Sequence, residues 1–130
     1  PNVYVRDDVE YVSGGGVDGL TVLAEHNVLI APDAPNSMTM NGIFIAQDGA
    51  FGMNAYTCGS GNATKTGTLT ILGTTVSNKR TGTKWSSSCG GYNKGYQTRI
   101  DSYDNNLAYD PPPFTPTISD DYTFIRWREE

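Results

Sequence analysis

With 130 residues, the chain has the size of one domain that can bury a single modest core. Its 9 Lys and Arg residues against 14 Asp and Glu residues give a net charge of −5, which repels polyanions, so we expect no nucleic-acid partner. The apolar runs at residues 19–23 and 28–32 are too short to cross a bilayer, and no membrane span is expected.

Short strands are predicted along most of the chain, because 15 Gly, 7 Pro and many other turn residues separate brief β-branched and aromatic runs. No long stretch keeps its apolar residues at helical spacing. In chain order, the predicted strands cover residues 3–5, 9–12, 20–24, 28–30, 38–40, 43–46, 69–72, 74–77, 95–100 and 122–127. The sequence therefore predicts an all-β fold.

The sequence resembles itself at two offsets. Residues 38–47 align with residues 69–78 at an offset of 31, sharing apolar positions, a Thr and a Gly. The same offset aligns Cys58 with Cys89. A shorter match, at an offset of 22, aligns residues 23–28 with residues 45–50. Irregular repetition of this kind indicates stacked β-structure, and a chance match in a chain rich in Gly and Thr is the alternative.

Stacking of these repeats predicts a β-solenoid, in which equivalent residues of neighbouring coils lie about 4.8 Å apart. We expect one domain over residues 1–130, with repeat-like coils over about 17–99 and a C-terminal capping segment over about 100–130. The extended prolines at 111–113 fit such a cap, which repeat folds need to cover a terminal edge. The side chains predicted to point inward are those of Ile43, Ile45, Leu69, Ile71 and Val76.

Cys58 and Cys89 are predicted to form a disulfide bond, and the chain therefore to reside in an oxidising compartment. Both lie among Gly and Ser residues, unlike most buried thiols, and the stacking distance suits a disulfide. Two unrelated exposed thiols are the alternative. A zinc site is excluded, because two Cys and the distant His26 do not complete a tetrahedral ligand set.

No catalytic constellation is recognisable. His26, the single histidine, has no nucleophile in a recognisable motif beside it. A carbohydrate-active solenoid enzyme is the alternative. Such an enzyme arrays acids, Lys and Arg along one face, where Asp48, Lys79, Arg80 and Lys84 would have to gather. A carbohydrate-binding module is the other alternative. We expect a protein that is not an enzyme.

Two groups of residues are candidates for binding. Asp101, Asp104 and Asn106 offer the oxygen ligands that calcium prefers, although their spacing is not that of an EF-hand and such residues are also common in turns. No other cofactor is expected. Exposed aromatic rings stack on sugars or partner proteins, which makes candidates of Tyr92, Tyr96, Tyr103 and Tyr109. Core packing or a hydrogen-bonded corner is the alternative role for each of these tyrosines.

Four segments together carry a resemblance to a family. They are residues 20–30, 41–52, 73–78 and 103–107, the last followed by residues 111–114 and Trp127. The combination resembles the C-terminal region of bacterial PilX-like type IV pilus assembly and surface proteins. That resemblance implies an extracellular or cell-surface domain with a structural or adhesive role.

Under that resemblance, the partners are other protein subunits or surface glycans, and the chain can form a homo-oligomer or filament. The apolar N-terminal helix of pilin-like proteins is missing, and the chain begins at Pro1 without an initiator Met. Both features fit a processed fragment whose export signal or anchor lies upstream.

Overall fold

The structure is a computed structural model, and it describes residues 1–12, 18–53, 64–85 and 94–105. These residues form eight strands and their connecting loops, with no helix among them. The strands are β1 (Val3–Val5), β2 (Thr21–Ala24), β3 (Val28–Ile30), β4 (Met38–Ala46), β5 (Phe51–Gly52), β6 (Thr64–Ser77), β7 (Lys84–Trp85) and β8 (Lys94–Ser102). Accordingly, no segment in the described part of the chain is a helix long and apolar enough to span a membrane.

The strands form two sheets. Sheet A contains three parallel strands in the order β1-β3-β5, and sheet B contains five strands in the order β2-β4-β6-β8-β7. Within sheet B, only the β7–β8 pair is antiparallel. Short turns carry the chain from one sheet to the other, as at Glu25–Asn27 between β2 and β3.

The register between strands follows the internal repeat. Met38 pairs with Leu69 and Ala46 with Ser77, so β4 and β6 are related by the offset of 31. Leu23 pairs with Ile45, so β2 and β4 are related by the offset of 22. The apolar positions that the two strands share therefore lie side by side in β4 and β6, whereas β8 places Arg99 beside Leu69 and Asp101 beside Ile71.

The core lies between the two sheets. Sheet A contributes Val5, Val28, Ile30 and Phe51, while sheet B contributes Ala24, Met38, Met40, Phe44, Ala46, Leu69, Ile71 and Tyr96. The rings of Phe44 and Phe51 meet across the interface, with centroids 6.0 Å apart. Each fully buried side chain of this size stabilises the fold by about 1.5–3 kcal/mol relative to an exposed one.

A pair of stacked glycines lets β4 and β6 bend together. Gly42 and Gly73 are register partners, and both have positive φ angles, of 134° and 137°. A Cβ atom added at Gly73 would lie 2.0 Å from the carbonyl oxygen of Gly42, which is backbone and cannot move aside. Only glycine fits this position, because both the torsion angle and the close approach exclude a side chain.

The prediction of a β-solenoid is wrong for the described residues, because they form two parallel sheets without a closed coil. A solenoid requires every turn of chain to supply one strand to each sheet. Here sheet A has three strands and sheet B five, β7 runs antiparallel, and strand length ranges from two to fourteen residues. The repeating unit is therefore not constant.

The predicted C-terminal cap falls largely outside the described residues, which end at Asn105. β8 ends at Ser102, close to the predicted start of the cap at about residue 100. The predicted division into coils and a cap over residues 1–130 otherwise stays a prediction.

The predicted inward-facing set is partly wrong. Leu69 and Ile71 are buried, whereas Val76 is exposed and Ile43 and Ile45 are half-buried on the opposite face of sheet B. Side chains alternate strictly between faces in β4, where Met38, Met40 and Phe44 take the inner positions.

Candidate functional site

The outward side of sheet B is the most distinctive surface of the described residues. Every second residue of its four parallel strands points away from the core, as the alternating burial of β4 shows. We call this surface the outer face. It consists of Thr21, Leu23, Thr39, Asn41, Ile43, Ile45, Thr68, Thr70, Leu72, Thr74, Val76, Thr98, Ile100 and Ser102.

The register gathers the aliphatic side chains of the outer face into rows. Leu23, Ile45 and Val76 lie side by side across β2, β4 and β6. Leu23 is 60% exposed and Val76 49% exposed. Ile100 of β8, which is 51% exposed, stands apart from this row, because its neighbours across β6 and β4 are Thr70 and Thr39. Aliphatic side chains exposed in contiguous rows mark an interaction surface, unlike the isolated apolar residues common on protein surfaces.

None of these strand residues is charged, but the pairing of Val9 with Met40 places the exposed Asp8 and Glu10 at the edge of the outer face, beside Thr39 and Asn41. Its polar positions are hydroxyl groups of Thr and Ser and the amide of Asn41. By contrast, the ion pairs of the described residues lie on turns and on the inner side of β8: Glu25 with the N-terminus, Arg6 with Asp33, His26 with Asp48, and Arg99 with Asp101. A partner can therefore cover the row of Leu23, Ile45 and Val76, which lies at the other end of β4, without removing these charges from water.

Among the candidate aromatics, Tyr96 is fully buried instead of exposed. Its hydroxyl donates a hydrogen bond of 2.6 Å to the carbonyl oxygen of Pro35. Burial, with a smaller contribution from the Asp8 carboxylate, raises the pKa of Tyr96 to about 12. Tyr96 thus takes the role of a hydrogen-bonded corner, while Tyr103 is 65% exposed and available for contact. Tyr92 and Tyr109 lie outside the described residues, as do Cys58 and Cys89.

The residues predicted to bind calcium do not share one environment in the structure. The Asp101 carboxylate accepts a hydrogen bond of 2.9 Å from Arg99 Nε, and Asp104 is buried. Burial, and after it the charge of Asp104, raises the pKa of Tyr11. Asn106 lies outside the described residues, and within them no group of three or more His, Cys, Asp and Glu side chains could hold a metal ion. Calcium binding stays a prediction.

The residues considered for an enzyme are spread over two turns and β7. Asp48 Oδ2 lies 3.8 Å from His26 Nδ1, on neighbouring turns. Arg80 lines a cavity of about 170 Å³ with Leu29 and Gly52 on sheet A, and Lys84 lies in β7. A second cavity, of about 160 Å³, lies beside Arg99 and Asp101. Both are smaller than the roughly 300–1,000 Å³ of typical small-molecule sites.

Sequence reasoning missed the outer face because it assigned Ile43, Ile45 and Val76 to the core. The two faces of β6 can be distinguished by whether an even or an odd number of residues separates two positions. Leu69 and Ile71 are an odd number of residues from Val76, so an unbroken alternating strand cannot turn all three to the same side. No protein-family model, curated protein or solved structure matches the chain.

Proposed function

We propose that this chain is a non-catalytic structural or adhesive module of an extracellular or cell-surface protein, and that it acts by associating with protein subunits through the outer face. The observation that carries the proposal is the in-register row of exposed or half-buried aliphatic side chains of Leu23, Ile45 and Val76. The pilus-associated setting rests on the sequence resemblance described above.

The chemistry of the outer face favours association over catalysis. Aliphatic and threonine side chains supply area that is released from water on contact, but no acid, base or nucleophile with a shifted pKa. An open sheet face also offers a protein surface more contact than it offers a small molecule, which needs a concave site. A protein subunit is therefore the partner class that the surface fits.

The alternative of a carbohydrate-active enzyme needs two convergent carboxylates beside a cleft. In the described ranges, Asp48 faces His26 and Asp101 faces Arg99, each on a different part of the molecule. A carbohydrate-binding module would need exposed rings, of which the described residues offer Tyr103 and Tyr4. These tyrosines are not part of the outer face, so the two hypotheses predict different contact residues.

Site-specific photo-crosslinking on the surface of the native cell tests the proposal. A benzophenone amino acid replaces Val76 on the outer face or, as control, Arg80, an exposed residue outside it. We expect a protein adduct from position 76 that position 80 does not give and that Leu23→Asp diminishes. Equal adducts at both positions, or none at position 76, would overturn the proposal.

A further inference from the structure

We propose that the free edge of β1 is a docking site for a β-strand of another protein subunit, a strand that carries basic residues and extends sheet A beyond β1. This site lies on a different sheet from the outer face, so it does not depend on the proposed function. Three features of the molecule support it: unpaired backbone groups, a partly uncovered core beside them, and acidic surroundings.

The backbone of β1 is paired on one side only. β1 is the outermost strand of sheet A, and the described residues contain no strand beyond it. Val3 N donates to the carbonyl oxygen of Asn27 at 2.9 Å. The carbonyl oxygen of Val5 accepts from Ala31 N, also at 2.9 Å. Because alternate residues of a strand face opposite neighbours, the N–H and C=O of Tyr4 point away from β3, where an added strand can pair with them.

The core beside this edge is only partly covered. Among the described residues, Val3, Val9 and Val22 pack against the core and yet remain half-buried. All three lie at the same end of the two sheets, where β1, β2 and the bridge of Val9 to Met40 are outermost. A strand added to β1 would place every second side chain between the sheets, where an apolar side chain would remove these valines from water.

β1 has few of the features that keep sheet edges from pairing. Prolines, bulges and inward-pointing charges are such features, and the three residues of β1 contain none of them. By contrast, Arg99 and Asp101 lie on the inner side of β8, in register with the buried Leu69 and Ile71. The edge of β1 is therefore open to pairing, although its short length limits the affinity.

The surroundings of the edge specify the charge of the partner. Asp7 and Asp8 follow β1 directly, Glu10 lies beside the bridge of Val9, and all three are exposed. The adjacent cation, Arg6, is already paired with Asp33 at 2.6 Å. A strand with Lys or Arg near these carboxylates is attracted to them. A second copy would instead bring the same acidic end against this one.

Titration of the full chain with two synthetic peptides tests the inference. One peptide alternates Val and Thr between Lys residues at both ends, and the other has Glu in place of each Lys. Calorimetry should show saturable binding of the Lys peptide that weakens as the salt concentration rises. The Glu peptide should bind at least roughly tenfold more weakly, because its carboxylates approach those beside the edge.

Substitutions at Tyr4 separate backbone pairing from side-chain contact. Tyr4→Pro removes the N–H on the free side and leaves the bonds of Val3 and Val5 to β3, so it should weaken binding of the Lys peptide by at least roughly tenfold. Tyr4→Ala keeps that N–H and should retain binding. Circular dichroism checks that both variants are folded. Hydrogen exchange of the wild type needs no variant, and the Lys peptide should slow exchange of the Tyr4 amide.

The outcomes that would overturn the docking site are distinct. No binding of the Lys peptide, or equal binding by wild type and Tyr4→Pro, would exclude strand addition at β1. Equal binding of the Lys and Glu peptides would exclude a basic partner. Self-association of the chain in sedimentation velocity that Tyr4→Pro abolishes would assign the edge to a second copy instead. Crosslinking at position 76 concerns the outer face, so either proposal can fail without the other.

Discussion

Two buried polar side chains fix the corner that leads into β4. Lys65 and Tyr96 are register partners on β6 and β8, and both point into the molecule. Lys65 Nζ donates a hydrogen bond to the carbonyl oxygen of Ala34, and the Tyr96 hydroxyl donates one to that of Pro35. Burial lowers the pKa of Lys65 and raises that of Tyr96. These bonds satisfy corner carbonyls that would otherwise be buried without a partner.

The shifted pKa of Tyr96 predicts a loss of stability in base. Because this pKa is about 12 in the fold against an ordinary 10.0, the unfolded chain releases the proton first. The contribution of Tyr96 is complete below about pH 10 and is lost as the pH rises towards about 12, on the order of 2 kcal/mol in total. The free energies of unfolding of wild type and Tyr96→Phe, both measured in urea, should therefore converge between about pH 10 and about pH 12.

The comparison with Tyr96→Phe isolates this effect. The lowered pKa of Lys65 has the opposite effect, because it makes the free energy of unfolding increase as the pH rises towards 10.5. Both proteins contain Lys65, so this effect cancels when their free energies of unfolding are subtracted. A difference in unfolding free energy that stays constant with pH would show that Tyr96 titrates normally.

At the scale of elements, the turns between the two sheets are stacked as regularly as the strands. Asp48 N donates to the carbonyl oxygen of Glu25 at 2.9 Å. Asn27 joins three layers, because its Nδ2 donates to Asn2 Oδ1 at 2.9 Å and its Oδ1 accepts from the backbone N–H of Ala50 at 2.9 Å. A side-chain amide can donate to one layer and accept from the next, which suits it to this position.

Removal of this amide should loosen the turns. Asn27→Ala breaks both side-chain bonds and leaves the N–H of Ala50 without its acceptor, so we expect a loss of about 1–3 kcal/mol in the free energy of unfolding. Asn2→Ala removes only the lower acceptor, in an exposed position, and should cost less. Urea unfolding of both variants and of the double variant checks this. Equal losses would contradict the three-layer role of Asn27.

The sequence was sufficient to predict the pairing of β4 with β6 and of β2 with β4, but not the other pairings, and not which side of each strand is buried. The offsets of 31 and 22 match the register of these two strand pairs, whereas Val28, which the offset of 22 aligns with Ala50, pairs with Phe51 instead. The buried side was ambiguous, since β4 carries aliphatic residues at both parities, with Ile43 and Ile45 opposite to Met40 and Phe44. Apolar pattern alone distinguishes faces only when the other face is polar.

At the scale of the whole molecule, the same repetition could not determine how the chain closes. A stack of parallel strands requires similar neighbours, which the offsets detect, but a solenoid also requires a constant path between sheets. That path depends on turns and on strand length, which vary here from the two residues of β5 to the fourteen of β6. The architecture of two parallel sheets therefore emerged only from the structure.

The predicted disulfide joins two segments that lead into paired strands, β6 and β8. Thr64 and Gly95 are paired at the start of β6 and β8, and Cys58 and Cys89 each precede their member of this pair by six residues. Both cysteines lie outside the described residues, and the disulfide stays a prediction that rests on the sequence repeat.

We therefore expect no free thiol in the denatured, unreduced protein and two after reduction. The bond would close a loop of about 30 residues, and its loss should lower the free energy of unfolding by about 3–4 kcal/mol in the chain-entropy model. Cys58→Ser and Cys89→Ser should each cause this loss, and the double variant should add little, because either substitution already removes the bond. Two reactive thiols in the unreduced protein, or additive losses in the double variant, would show that the cysteines act independently.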